Sequence, residues 1–113
     1  MDGSHAEEQA LRYLQQHGLK LLSRNWRCKL GELDLVMQDG ETVAVIEVRS
    51  RARGDWGAAA ETIDARKQAR LVRATRLWLA RRPELAEQPL RFDVVTLDAG
   101  NLEWRREAFD AAE

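Results

Sequence analysis

Apolar residues recur at two distinct spacings along this chain, and the change from one to the other marks out its elements. Ala6, Ala10, Leu11 and Leu14 follow helical spacing; Ser4 and Glu7 have the spacing of a capping box before them, and His17-Gly18 supplies a stop. From Leu19 to Lys29 the residues favour a strand, with a break at Arg24-Asn25. Leu33 to Met37 and Thr42 to Ser50 are apolar on both faces, which predicts central strands covered on each side. Between them Asp39-Gly40 reads as a two-residue hairpin turn. That turn would set Gln38 against Glu41, Val36 against Val43, Asp34 against Val45 and Glu32 against Glu47. Because side chains alternate along a strand, Glu32, Asp34 and Val36 share a face with Val43, Val45, Glu47 and Arg49. Asp34 and Glu47 are then diagonal neighbours, ~7–8 Å apart at the backbone.

Periodicity breaks over Arg51 to Gly57, which reads as a loop, and a long helix is expected to begin near Ala58 to Ala60. On that helix Leu71, Val72, Thr75, Trp78 and Leu79 fall on one arc, while Arg66, Arg70, Arg73, Arg76 and Arg81 fall on the other. Pro83 and Pro89 bracket its exit. Leu90 to Leu97 then alternates as a strand, Asn101 to Arg106 pairs with it across Asp98-Ala99-Gly100, and the acidic tail from Glu107 is expected to fray. The order predicts an α/β fold: a mixed, mainly antiparallel sheet of about five strands flanked by helices, in one domain spanning residues 1–113.

Composition narrows the class. A chain of 113 residues, 44% hydrophobic and 33% charged, can bury a core without disulfides or structural metal. No apolar run approaches the ~18–20 residues of a membrane span, and the acidic start MDGSHAEEQ lacks the parts of a secretory signal, so a cytoplasmic chain is expected. Cys28 stands alone, which excludes an internal disulfide and a cysteine zinc cluster, and neither His5 nor His17 has a metal-ligand partner at a recognisable spacing. The formal net charge of -1 conceals a separation along the sequence. From Ala65 to Arg82 there are seven basic residues and no acid, a local positive face suited to phosphate. A solvated helix face explains the same run.

Acids interleaved with Val36, Val43 and Val45 on a central strand are costly to bury without a cation. A hard divalent ion such as Mg²⁺ is held by one or two carboxylates, keeps several waters and takes further ligands from substrate phosphate, and Asp34 and Glu47 meet that need. Such an ion polarises a phosphodiester and offsets charge on the leaving oxygen. The competing reading has Asp34 and Glu47 neutralised by Arg49 or Arg27.

GELDLV, then VAVIEVRSR, then a long helix carrying Lys67, then LRFDVV, resembles the small bacterial YraN family of the restriction-endonuclease-like PD-(D/E)xK superfamily. The likeness runs from AEEQALRYL to RFDVV and includes RNWR at Arg24 to Arg27, the RxRGDWG loop and Lys67. It extends to archaeal Holliday junction resolvases. It implies a restriction-endonuclease-like core and a site made of a first-helix glutamate, a hairpin aspartate and the glutamate and lysine of a strand ExK motif. By motif match these are Glu7, Asp34 and Glu47, as ligands of Mg²⁺ or Mn²⁺. Arg49 stands where the family has lysine; arginine stabilises phosphate charge but stays protonated and cannot act as a base. Glu32 shares the face, and nothing in the family pattern makes it a ligand; it is a candidate for a supporting position.

The function implied is metal-dependent endonucleolytic cleavage of DNA, with branched or structured DNA as the substrate the resolvase likeness suggests, and a two-fold homodimer would suit cutting of both strands. Arg51, Arg53, Arg66, Lys67, Arg70 and Arg73 are the candidate phosphate contacts. Trp56, after Arg51 and Arg53, and Trp26, between Arg24 and Arg27, are placed for stacking on bases, although packing is the commoner role of tryptophan, as expected for Trp78 and Trp104. Two other readings remain open: a nucleic-acid-binding module of the same fold without cleavage, and a protein-interaction domain whose basic helix docks on an acidic partner.

Overall fold

The structure is a computed structural model that describes residues 3–51 and 63–110. Helix α1 (Gly3–Gln16) leads into a hairpin-connected run of β1 (Lys20–Cys28), β2 (Gly31–Asp39) and β3 (Thr42–Arg51). Helix α2 (Ala65–Ala80) and a short 3-10 turn (Pro83–Leu85) then connect to β4 (Leu90–Asp98) and β5 (Asn101–Phe109). The five strands form one sheet in chain order, antiparallel except for β3 and β4, whose parallel pairing requires a long connection that α2 provides. The mixed, mainly antiparallel α/β sheet expected from the pattern is the observed one.

Burial explains why β2 and β3 are apolar on both faces. One face packs Val36, Val43, Val45, Phe92 and Val94 against Leu71, Ala74 and Trp78 of α2. The other packs Leu35, Met37, Ala44, Ile46 and Val95 against Ala10, Leu11 and Leu14 of α1. The sheet is therefore filled between two helices, and the arc Leu71, Thr75 and Trp78 of α2 is its buried face, as its spacing predicts. Trp78 is fully buried, and its indole N–H donates to Ser23 Oγ at 2.9 Å, so its polar atom stays satisfied. Among the described residues no helix is long and apolar enough to cross a membrane.

The structure corrects four local expectations. The β2–β3 turn is Gly40-Glu41, not Asp39-Gly40: Asp39 pairs with Thr42, and Gly40, at φ 60, takes the first turn position, the glycine-first arrangement of a type II′ hairpin. Asp39 is drawn into the strand by Arg91, whose Nη2 lies 3.0 Å from its carboxylate. The register moves by two residues, so Val36 faces Val45 and the faces are kept from Leu35 to Asp39, but beyond the last pair Leu33 joins Val36 on the α2 side, so strict alternation breaks around Asp34. Helix α2 begins at Ala65, with Asp64 as N-cap accepting from Lys67 N at 2.8 Å, so a start near Ala58 is overturned at its described end, while residues 58–60 lie outside the described residues. Helix α1 already includes Gly3, so Ser4 lies within it and does not cap it.

The fourth concerns the tail from Glu107, which does not fray before Phe109. A bulge between Phe92 and Val94 and a positive φ at Glu107 turn the Glu107 N–H onto Asp93 Oδ1 at 3.1 Å, and Phe109 stacks on Phe92 with ring centres 4.8 Å apart. Asp93 is wholly buried, and its remaining lone pairs accept from Arg91 at 2.9 and 3.0 Å and from Trp104 Nε1 at 3.0 Å. A buried carboxylate with this many donors anchors the edge strand β5 to β4.

Candidate metal centre and basic helix

Pairing between β2 and β3 ends at Leu35 and Ile46, and the site is built where it ends. One residue beyond the last pair on each strand stand Asp34 and Glu47, close to one another rather than two positions apart as the expected register had them. With no β2 carbonyl opposite it in the ladder, the Val48 N–H donates to Asp34 Oδ2 at 2.9 Å. The same aspartate is hydrogen-bonded to Glu47. Lys67, in the first turn of α2, reaches down to the sheet and puts Nζ 3.4 Å from Glu47 Oε2; Glu47 is only 11% exposed there and Lys67 40%. The ammonium thus touches the acid from the solvent side. Among the described residues Arg27 pairs with Glu32 at 3.6 Å, and the charge of Arg49 acts on Glu47.

Helix α1 brings the third element. Glu7 and Glu8 are indistinguishable by composition, but their helix positions separate them. Glu8 turns to Arg12 and Arg24, at 3.1 and 2.9 Å, and these guanidinium hydrogen bonds hold its carboxyl below the usual range. Glu7 turns to the sheet, where Asn25 hydrogen-bonds it. Asn25 sits at φ 53, a conformation asparagine tolerates, so the apparent break at Arg24-Asn25 is the point where β1 hands an amide to the site. One carboxylate oxygen each from Glu7, Glu32 and Asp34 lies within 4.8 Å of the others. Glu32 is thus a full member of the cluster, which the sequence treated as a supporting residue. Its spacing of two from Asp34 on a strand was the available signal. Glu47 stands beside the cluster, joined to it through Asp34.

The electrostatics follow from this crowding. Burial raises Glu7, and the charge of Asp34 adds to that, against the Asn25 hydrogen bond. Burial raises Asp34 too, opposed by the Val48 N–H and reinforced by Glu32. Glu47 is pushed up to about 7, first by burial and then by Asp34, with Lys67 and Arg49 pulling the other way. Ionisation of Asp34 and Glu47 together is therefore disfavoured. Three hard oxygen donors converging from α1 and β2, with a fourth carboxylate alongside, form a donor set that could hold a metal ion.

The remaining candidates divide. Arg66, Arg70 and Arg73 are exposed on the solvent face of α2, and Arg49 is half-buried near Glu47. Trp26 is half-buried and packs on the core beneath Arg81, whose guanidinium carbon is 5.9 Å from the ring centre. Trp104 packs, bound to Asp93. The Arg51 side chain, Arg53 and Trp56 lie outside the described residues.

Residues 6–97 match the family model described as "Uncharacterised protein family UPF0102". Among curated relatives, a UPF0102 protein of Pseudomonas fluorescens is 51% identical over 114 residues, covering 96% of this chain and 93% of its own. The UPF0102 protein of Pseudomonas putida strain GB-1 is 51% identical over 113 residues, covering 96% and 92%. That of Pseudomonas aeruginosa strain PAO1 is 49% identical over 115 residues with the same coverage. The matched span runs from the helix that carries Glu7 to the end of β4, and on that ground the chain belongs to the UPF0102 (YraN) family, within the PD-(D/E)xK-like nuclease superfamily.

Proposed function

We propose that this protein is a divalent-metal-dependent endonuclease acting on DNA, with branched or otherwise structured DNA as its substrate. The observation that carries the reading is the convergence of Glu7, Glu32 and Asp34 within 4.8 Å beside the Glu47–Lys67 pair. Glu7, Glu32 and Asp34 would hold Mg²⁺ or Mn²⁺, with Glu47 as a further ligand through its contact with Asp34. Bound there, the ion supplies charge that polarises the phosphodiester and offsets the leaving oxygen.

The chain's own groups do the rest. Glu47, raised to about 7 by burial and by Asp34, gives the site a carboxylate that exchanges a proton near neutral pH, the range a general base needs. Lys67 and Arg49 lie on the Glu47 side and stabilise negative charge that grows on a phosphate; Arg49, always protonated, serves only in this way. Arg66, Arg70 and Arg73 on α2, with Arg51 at the end of β3 and Arg53 after it in the sequence, would steer and position the backbone, and Trp56 would stack on a base. A homodimer would present two such sites to opposite strands.

The test is cleavage of supercoiled and four-way-junction DNA across a Mg²⁺ and Mn²⁺ titration, with Asp34→Ala as the comparison. Metal-dependent cutting that Asp34→Ala abolishes supports the reading. Salt-dependent DNA binding with no cutting at any metal concentration replaces it with a non-cleaving nucleic-acid-binding module, and the absence of DNA binding at low salt replaces it with a protein-binding role for the basic helix.

A further inference from the structure

A cleft of about 270 Å³ opens between the β1–β2 turn and the first half of α2. Lys29 stands on the turn, Lys67 and Arg70 on the helix, Glu32 at the β2 side, and Cys28 and Leu71 make the apolar floor. The turn meets the helix at Gly31, where a Cβ would stand 3.8 Å from the Arg70 carbonyl oxygen, in ordinary contact, and where the φ of 154 is one that residues with a side chain rarely adopt. The volume is at the small end for ligand sites, room for one nucleotide unit rather than a large metabolite.

Its charges are unevenly spent. Glu32 is engaged by Arg27, and Lys67 by Glu47. Lys29 and Arg70 form no ion pair with any described acid. Two uncompensated cations and a third that is half-exposed therefore converge on a space with an apolar floor, the environment that suits a phosphate carrying a sugar and base. Glu32 and Lys67 belong at once to this cleft and to the carboxylate site, so the two are continuous.

We propose that the cleft is a nucleotide subsite that grips a backbone phosphate adjacent to the scissile one, through Arg70 and Lys29, with Lys67 bridging that phosphate and Glu47. The proposal rests on the nuclease reading for its substrate and goes beyond it in assigning where the flanking nucleotide lies. It separates two kinds of cation on α2: Arg66 and Arg73 act at long range on the whole backbone, while Arg70 and Lys67 hold one unit of it. A subsite of this kind also offsets the repulsion between substrate phosphate and the acidic cluster next to it.

The experiment is a titration of the full chain in EDTA, so that no cleavage occurs, with deoxythymidine monophosphate and separately with a ten-nucleotide oligothymidylate. Amide NMR shifts locate the binding and calorimetry measures it. The expected result is oligonucleotide-induced shifts at Leu30, Gly31 and Arg70, with binding weakened about tenfold by Arg70→Ala or Lys29→Ala, the loss of one charge-assisted contact each. Lys20→Ala, which removes the same charge at the opposite end of β1, should weaken it less than twofold. Equal effects of Arg70→Ala and Lys20→Ala, or shifts confined to other surfaces, overturn the subsite. Mononucleotide binding as tight as the oligonucleotide's overturns its assignment to the nucleic-acid backbone in favour of a free nucleotide. Because no metal is present, failure to cut DNA refutes the nuclease reading without touching this titration.

Discussion

Glu47→Gln should make the metal-free protein more stable at pH 8 and leave it unchanged at pH 4. Glu47 is nearly buried, and its carboxyl is raised to about 7 from 4.5. Below pH 4.5 it is protonated in both the folded and the unfolded chain, so its ionisation has no effect on stability. Between 4.5 and 7 the unfolded chain releases the proton while the folded chain keeps it, so the folded state binds more protons and stability falls as pH rises. Above 7 the cost is complete. At about 1.4 kcal/mol for each pH unit between the two values, it amounts to ~3 kcal/mol, carried by the Asp34–Glu47 pair jointly. Glutamine has the same shape and cannot ionise. It forfeits the attraction of Lys67, but that side chain is 40% exposed and rehydrates readily. The net gain expected at pH 8 is ~1–3 kcal/mol, or roughly 4 °C in Tm per kcal/mol for a chain of this size. Urea or thermal unfolding of both proteins in EDTA at pH 4, 6 and 8 measures it. A difference that does not change with pH, or a Gln variant less stable at pH 8, would show that Glu47 is ionised without penalty and would remove the argument that this pocket demands a cation.

Lys67→Met should push the titration of Glu47 further above 7, since it deletes the nearest favourable charge; the side-chain carboxyl ¹³C shift followed against pH reads this directly. Glu32→Gln should weaken Mn²⁺ binding, read by water proton relaxation, about as much as Asp34→Asn does, and indifference to Glu32→Gln would remove it from the donor set. Asp93→Ala should cost ~3–5 kcal/mol in denaturant unfolding, because it strands the Trp104 indole N–H and the Glu107 amide and leaves the Arg91 guanidinium with Asp39 alone; a loss below about 1 kcal/mol would mean that β5 is held by its ladder alone.

What the chain's pattern reveals follows the range of the interactions. The double-sided apolar runs of β2 and β3 announce a sheet filled on both faces because each residue there reports its own burial, and the helices α1 and α2 supply that cover. The turn is different. Asp39-Gly40 and Gly40-Glu41 are both acceptable hairpin turns locally, and the choice is made by Arg91, more than fifty residues away on β4. The resulting two-residue shift keeps parity from Leu35 to Asp39, but the ladder stops at Leu35 and Ile46, and just beyond it Asp34 and Glu47 come close enough to raise one another.

The site shows the same division. Asp34 and Glu47 are legible because an acid in an apolar strand is costly, whereas Glu7 and Glu8 look alike until Arg12 and Arg24 claim one of them. Lys67 is the sharper case. It belongs to a run of seven cations, five of them on α2, and its place at the edge between the basic and apolar arcs lets it point along the sheet towards the carboxylates; the structure pairs it with Glu47, because Asp64 starts the helix so that its first turn overhangs the end of the β2–β3 ladder. We propose that Lys67, whose flexible ammonium reaches Glu47 from α2, takes the part of the lysine that the strand motif would carry at position 49. If that is its role, Lys67→Arg should impair cutting more than Arg49→Lys does, the reverse of what the strand motif alone predicts.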